Sequence, residues 1–105
     1  MTAEPEYHPT IRDLPSNDRP RERLLQYGSS ALSTAELLAI VLRVGTRDEN
    51  AVQLGQRLLA SFGGLAGLVR ASAPELTQER GLGPAKVAQV KAALELGLRL
   101  VVDSH

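Results

Sequence analysis

Short helices with marked ends are what this sequence most firmly dictates. Ser33 stands three residues before Glu36, and Ser72 three before Glu75. Each pair has the form of a capping box, in which the hydroxyl accepts from an amide one turn on and the carboxylate returns the bond. Glycines at 28, 45, 63, 64, 81 and 83 then supply the stops. The spacing predicts a first helix capped by Asp18, with Pro20 in its opening turn, ending at Tyr27 before Gly28. A second runs from Ser33 to about Arg43, and its apolar run ELLAIVLRV is hydrophobic almost all round, as a central buried helix would be. A third covers Ala51 to Phe62, with Ala51, Leu54, Leu58 and Phe62 as its stripe. A short fourth follows at 65–70, and a fifth runs from the Ser72 cap to near Arg80. The last starts at Pro84 and reaches about Val101, with Val87, Val90, Leu94, Leu98 and Val101 on one face. The apolar residues are mostly Leu, Val and Ala, and the only aromatics are Tyr7, Tyr27 and Phe62, so no strand is expected. The fold class is all-α: a compact bundle of about five or six short helices.

At 105 residues the chain suits one domain. Residues 1–10, with two prolines and no periodicity, read as a flexible arm, and Ile11 and Leu14 can pin it to the domain at 11–105. No cysteine is present, which excludes disulfides and thiolate metal sites and fits a reducing compartment. No apolar run approaches the roughly 20 residues of a membrane span, and no secretory signal opens the chain. A cytoplasmic location is the expectation. His8 and His105 sit at opposite ends without metal-ligand spacing. Asp13 and Asp18 read as turn and cap residues rather than an acid/base pair. No nucleophile triad can be drawn, and no glycine turn ends in the Gly-Lys-Ser/Thr of a nucleotide loop. Catalytic residues, metals and cofactors are therefore not expected, and binding is the function left to argue.

Net charge is zero, twelve basic against twelve acidic residues, which counts against a strong, visibly basic nucleic-acid binder. The basic side is ten Arg and two Lys, and Arg suits phosphate and carboxylate alike. Arg19, Arg21 and Arg23 lie beside Asp18 and Glu22; they read as a solvated face with internal ion pairs, or as a second phosphate contact.

The most chemical segment is LTQERGLGPAKVAQVKAAL, residues 76–94. Gly81 and Gly83 allow a tight turn and a close backbone approach, and Leu82 between them can plug down between two helices. Pro84 suits a first helical turn. The N–H groups of Gly83, Ala85 and Lys86 then point out of a helix start, an anion site that the Lys86 ammonium can assist. The pattern resembles the helix-hairpin-helix motif, Gly–apolar–Gly with a small residue two positions on, here Ala85. That resemblance implies contact with DNA phosphates through backbone amides, usually across the minor groove and without base readout. The candidate DNA-binding residues are thus Gly81, Leu82, Gly83, Pro84, Ala85 and Lys86. A plain αα turn is the other reading of the same residues.

An upstream segment shares the shape of helix, glycine turn, helix. Arg43, Gly45, Thr46 and Arg47 are its candidate contacts, but it lacks the second glycine, and Asp48 and Glu49 would repel phosphate. Bracing the other hairpin is the expected role, within a pseudo-symmetric pair of helix-hairpin-helix-like units.

Three strings, IRDLPSNDRPRERLLQYG at 11–28, LSTAELLAIVLRVGT at 32–46 and GLGPAKVAQVKAALELG at 81–97, are similar to the N-terminal region of the bacterial RadC-like proteins. The resemblance implies a helix-hairpin-helix domain followed by a JAB/MPN-type metal-binding domain, which is expected to be absent here and is the domain's expected partner. It implies DNA, most simply duplex, as the other partner, and DNA repair or related DNA metabolism as the setting. The alternative is a protein-interaction or dimerisation module that keeps the fold without binding DNA.

Overall fold

The computed structural model describes residues 19–103. Within them the chain forms α1 (Pro20–Tyr27), a single 3-10 turn at Ser29–Ala31, α2 (Thr34–Leu42), α3 (Ala51–Phe62), α4 (Gly64–Arg70), α5 (Ala73–Thr77) and α6 (Pro84–Asp103). There is no strand among the described residues, and the architecture is the all-helical bundle expected. Both capping boxes form as read: Ser33 Oγ accepts from the Glu36 amide at 3.1 Å and Glu36 Oε1 accepts from the Ser33 amide at 2.9 Å. Ser72 and Glu75 do the same.

Four details differ from the sequence reading. Helix α1 has Arg19 as its N-cap, with no side-chain cap bond; Asp18 lies outside the described residues, as do Ile11, Asp13, Leu14 and both histidines. Helix α5 stops at Thr77 rather than near Arg80, because the Gln78 and Glu79 amides close tight bonds to Glu75 and Leu76. Helix α2 is not buried all round. It inserts Ala35, Leu38, Ala39 and Leu42 and leaves Leu37 exposed. The stripe of α6 leaves the core after Leu94, so that Leu98 and Val101 are exposed.

One core joins the remaining elements: Leu38 and Leu42 of α2, Leu54 and Leu58 of α3, Leu68, Ala71, Leu76, Leu82, and Val87 and Val90 of α6. Burial of each large side chain contributes about 1.5–3 kcal/mol, so this cluster dominates the stability of the bundle. Helix α2 packs on α3 and on α6, and α5 packs on α6. The approach of α2 to α3 is close because Gly55 faces Ala35, whose carbonyl oxygen a Cβ would meet at 3.0 Å. Lys91 ties α6 to α4 by donating to the carbonyls of Val69 at 2.9 Å and Ala71 at 2.7 Å, a cation on the negative end of a helix.

Candidate nucleic-acid interface: two glycine turns

Two turns, α2 to α3 and α5 to α6, lie against each other. At Gly81, where φ is +88°, an added Cβ would overlap the Cγ2 of Thr46 on the other turn. Lys86 spans both, donating to the carbonyls of Gly45 at 3.3 Å and Gly81 at 3.4 Å. The structure thus brings Gly45, Thr46, Gly81 and Lys86 together. Leu82 is buried between α5 and α6 in the core, the plug its position suggested.

The second turn opens outward. Gly83 immediately precedes α6, and its carbonyl accepts from the Val87 amide at 3.1 Å. Having no side chain, Gly83 cannot cap. Among the described residues the amides of Gly83, Ala85 and Lys86 donate to no backbone or side-chain acceptor, and Gly83, Pro84 and Ala85 are exposed. The starts of α2, α3 and α5, by contrast, each close with a capping box. The positive end of a twenty-residue helix is therefore presented to solvent with its donors unfilled.

The first turn closes on itself. Thr46 Oγ1 accepts from the amides of Asp48 and Glu49 at 3.3 and 3.1 Å, and the Thr46 amide donates to the Glu49 carbonyl at 2.9 Å. Asn50 and Gln53 form a third capping box, at 2.8 and 2.9 Å. Gly45 sits where a Cβ would overlap the backbone of Glu49 and Asn50. Arg43 ends α2 in a γ-turn, φ +75° and ψ −51°, closed by the Val44 amide on the Leu42 carbonyl at 2.9 Å; this conformation is strained for a side-chain-bearing residue.

Two of the acidic residues near these turns, Glu49 and Glu79, are paired with an arginine that sequence reasoning missed. Arg57, on α3, donates to both carboxylate oxygens of Glu49 at 2.8 and 3.0 Å, to Glu79 at 3.0 Å and to the Arg80 carbonyl at 2.6 Å. The hydrogen bond from Arg57, reinforced by its charge and that of Arg80, holds the Glu49 carboxyl below its ordinary range. Glu49 raises the Arg57 guanidinium in return. Glu49, the acid expected to repel phosphate, is thus the anchor of a clasp joining the two turns. Asp48 stays exposed, as do Arg43, Arg47 and Arg80, whose guanidinium groups make no hydrogen bond or ion pair among the described residues. Lys86 is half-buried and committed to two carbonyls rather than extended into solvent.

The arginines of α1 divide. Arg23 pairs with Glu36 and donates to the Ala31 carbonyl at 3.3 Å, fastening α1 to α2, while Arg21 pairs with Glu22 at 3.2 Å. An open groove of about 940 Å³, lined among others by Arg21, Glu22, Arg43, Arg47, Asp48 and Glu49, separates α1 from the first turn. Its charge is mixed. Among the described residues no group of three or more His, Cys, Asp or Glu side chains is placed to hold a metal ion, and no helix is long and apolar enough to cross a membrane.

Fold and turns together define an all-helical domain built on two helix–glycine turn–helix units braced back to back. Residues 11–88 match the family described as UPF0758 N-terminal. Among curated relatives, a UPF0758 protein of Roseiflexus castenholzii is 59% identical over 99 residues, covering 94% of this chain and 42% of the relative. One from Moorella thermoacetica is 57% identical over 91 residues, 87% of this chain and 40% of the relative. The chain belongs to the UPF0758 (RadC-like) family. It spans about two fifths of the length of the curated relatives it matches. No solved structure matches it.

Proposed function

We propose that this domain binds the DNA phosphate backbone without reading base sequence, through the amides of Gly83, Ala85 and Lys86 at the start of α6. Gly81, Leu82 and Pro84 give the turn its shape, and the exposed Arg43, Arg47 and Arg80 supply positive charge around it. The single observation that carries the reading is the open start of α6, with unfilled donors on an exposed glycine turn. A phosphodiester oxygen is the acceptor such donors fit best. The role of Lys86 is to lock the two turns together, so its contribution to phosphate is through charge and position rather than direct reach. Gly45 and Thr46 brace the site. In this reading the domain performs no chemistry, works in the cytoplasm of bacteria, and holds the rest of the family chain on DNA during repair or related DNA metabolism.

With few phosphate contacts available, affinity should fall at about 10⁻⁴ to 10⁻⁶ M near physiological salt. The test is fluorescence anisotropy of labelled duplexes of two unrelated sequences at about 50 and 200 mM salt, a range over which phosphate-dominated binding weakens steeply. Saturable binding, equal for the two sequences and lost with salt, is expected. Absence of binding at the lower salt would favour a protein-interaction module, the reading supported by zero net charge and by the commitment of both lysines to backbone carbonyls.

A further inference from the structure

Helix α6 is twenty residues long, about 30 Å, yet the bundle uses only its first half. Val87 and Val90 are buried and Leu94 packs at the edge of the core, while every residue from Glu95 to Asp103 is exposed. The exposed half is not polar. Leu96 is 69% exposed, Leu98 44%, Leu100 68%, Val101 60% and Val102 69%. At about 100° per residue these five side chains sweep an arc of roughly 240°. The remaining sector holds Glu95 and Arg99, paired at 3.0 Å one turn apart.

An arc this wide decides between occupants. A helix that meets a twin in a two-stranded pairing presents one narrow seam, whereas a helix apolar on most sides belongs inside a core. The family supplies an occupant of the right extent. This chain covers only 42% of its Roseiflexus castenholzii relative and matches the family's N-terminal domain. More than half of the relative's chain therefore lies outside the match, and α6 is the described element nearest that boundary.

We propose that the exposed half of α6 is the seat of the remainder of the longer family chain, which encloses Leu96, Leu98, Leu100, Val101 and Val102 in an apolar socket open only along the Glu95–Arg99 edge. Helix α6 then passes rigidly from one domain's core into the next, so that the orientation of the two is fixed by a continuous helix rather than a free linker. This holds whether or not the first half of α6 contacts DNA.

The test fuses this chain to the remainder of the Roseiflexus castenholzii relative and compares amide hydrogen exchange at 95–103 with that of the 105-residue chain alone. The fusion should slow exchange there by at least about tenfold. The double substitution Leu96→Glu, Leu100→Glu, at two well-exposed positions, should remove that protection while leaving the helical spectrum of the 105-residue chain unchanged. Equal exchange in the fusion and the shorter chain would overturn the proposal. So would concentration-dependent self-association of the 105-residue chain that protects 95–103 and is abolished by the same double substitution, since that result makes a second copy the occupant.

Discussion

The two glycine turns are built alike and spend their polar groups in opposite ways. Between α2 and α3, Thr46, Glu49 and Asn50 satisfy the turn's own amides, and Arg57 balances the charge of Glu49. Between α5 and α6 none of the described residues performs that service, and the amides of Gly83, Ala85 and Lys86 are left without an acceptor among them. Each turn has one residue at positive φ near the end of its leading helix: Arg43 in the first and Gly81 in the second. The glycine takes that conformation without strain, while the arginine does so at a cost of order 1–3 kcal/mol. A closed turn is a brace, and an open one leaves the donors that the proposed phosphate contact would use. Their contact through Thr46, Gly81 and Lys86 makes the first the support on which the second is held.

The largest effect should come from breaking the brace. Gly45→Ala drives a methyl into the Glu49 and Asn50 backbone, which cannot swing aside as a side-chain tip would, and a loss of about 3 kcal/mol or more is expected in urea unfolding. Gly81→Ala should cost roughly 2–3 kcal/mol, from its positive φ and from the Thr46 methyl. Adding Thr46→Ser should recover only the steric part, because the φ strain stays. Full recovery would show that the conformation at Gly81 is not limiting.

Arg57→Met should cost about 2 kcal/mol at neutral pH, since Glu49 and Glu79 both lose their partner. The sign of its pH dependence follows from Glu49. That carboxyl is lowered in the folded state, chiefly by the Arg57 hydrogen bond, so the stabilisation is fully present above its unfolded value near pH 4–4.5 and is lost as pH falls through the folded value. The gap between wild type and Arg57→Met should close as pH falls below the unfolded value, near pH 4–4.5, and through the lowered folded value in paired urea melts. Glu75 is also lowered, by its hydrogen bonds with Ser72, but it is common to both proteins and cancels in the difference. The smallest effect is a gain: Arg43→Gly should raise stability by about 1 kcal/mol by relieving the γ-turn, whereas Arg43→Ala should not. If neither changes stability, the strain assigned to that residue is absent.

Most helix ends were legible because their signals are local. The Ser33–Glu36 and Ser72–Glu75 spacings and the glycines at 28 and 63 fix boundaries over a few residues, and Asn50–Gln53 carried the same spacing in amide form and could have been read the same way. The clasp was not legible, because Arg57 meets Glu49 and Glu79 from 8 and 22 residues away, and only the packing of α3 against both turns brings them together. Lys86 shows the same limit. Its place at a helix start suggested a reach toward an anion, but the carbonyls it binds belong to a turn 41 residues upstream as well as its own. The stripe of α6 is a true periodicity in the sequence, but only its first part, Val87, Val90 and Leu94, meets the core. Periodicity cannot say where the facing helices end, and they end at Leu94.

The open start of α6 is the proposed phosphate site. Gly83 has nothing within 4 Å of where a Cβ would stand and is not at positive φ, so Gly83→Asp fits and places a carboxylate over the unfilled amides. The substitution should stabilise the fold by about 0.3–1 kcal/mol through capping and the helix dipole, while filling the anion site from within. The measurement is duplex anisotropy of wild type and Gly83→Asp at low salt, with thermal unfolding of both. A melting temperature held or raised, together with affinity reduced at least about tenfold, is the predicted result. Undiminished DNA binding by a well-folded Gly83→Asp protein would show that DNA is not held at the start of α6.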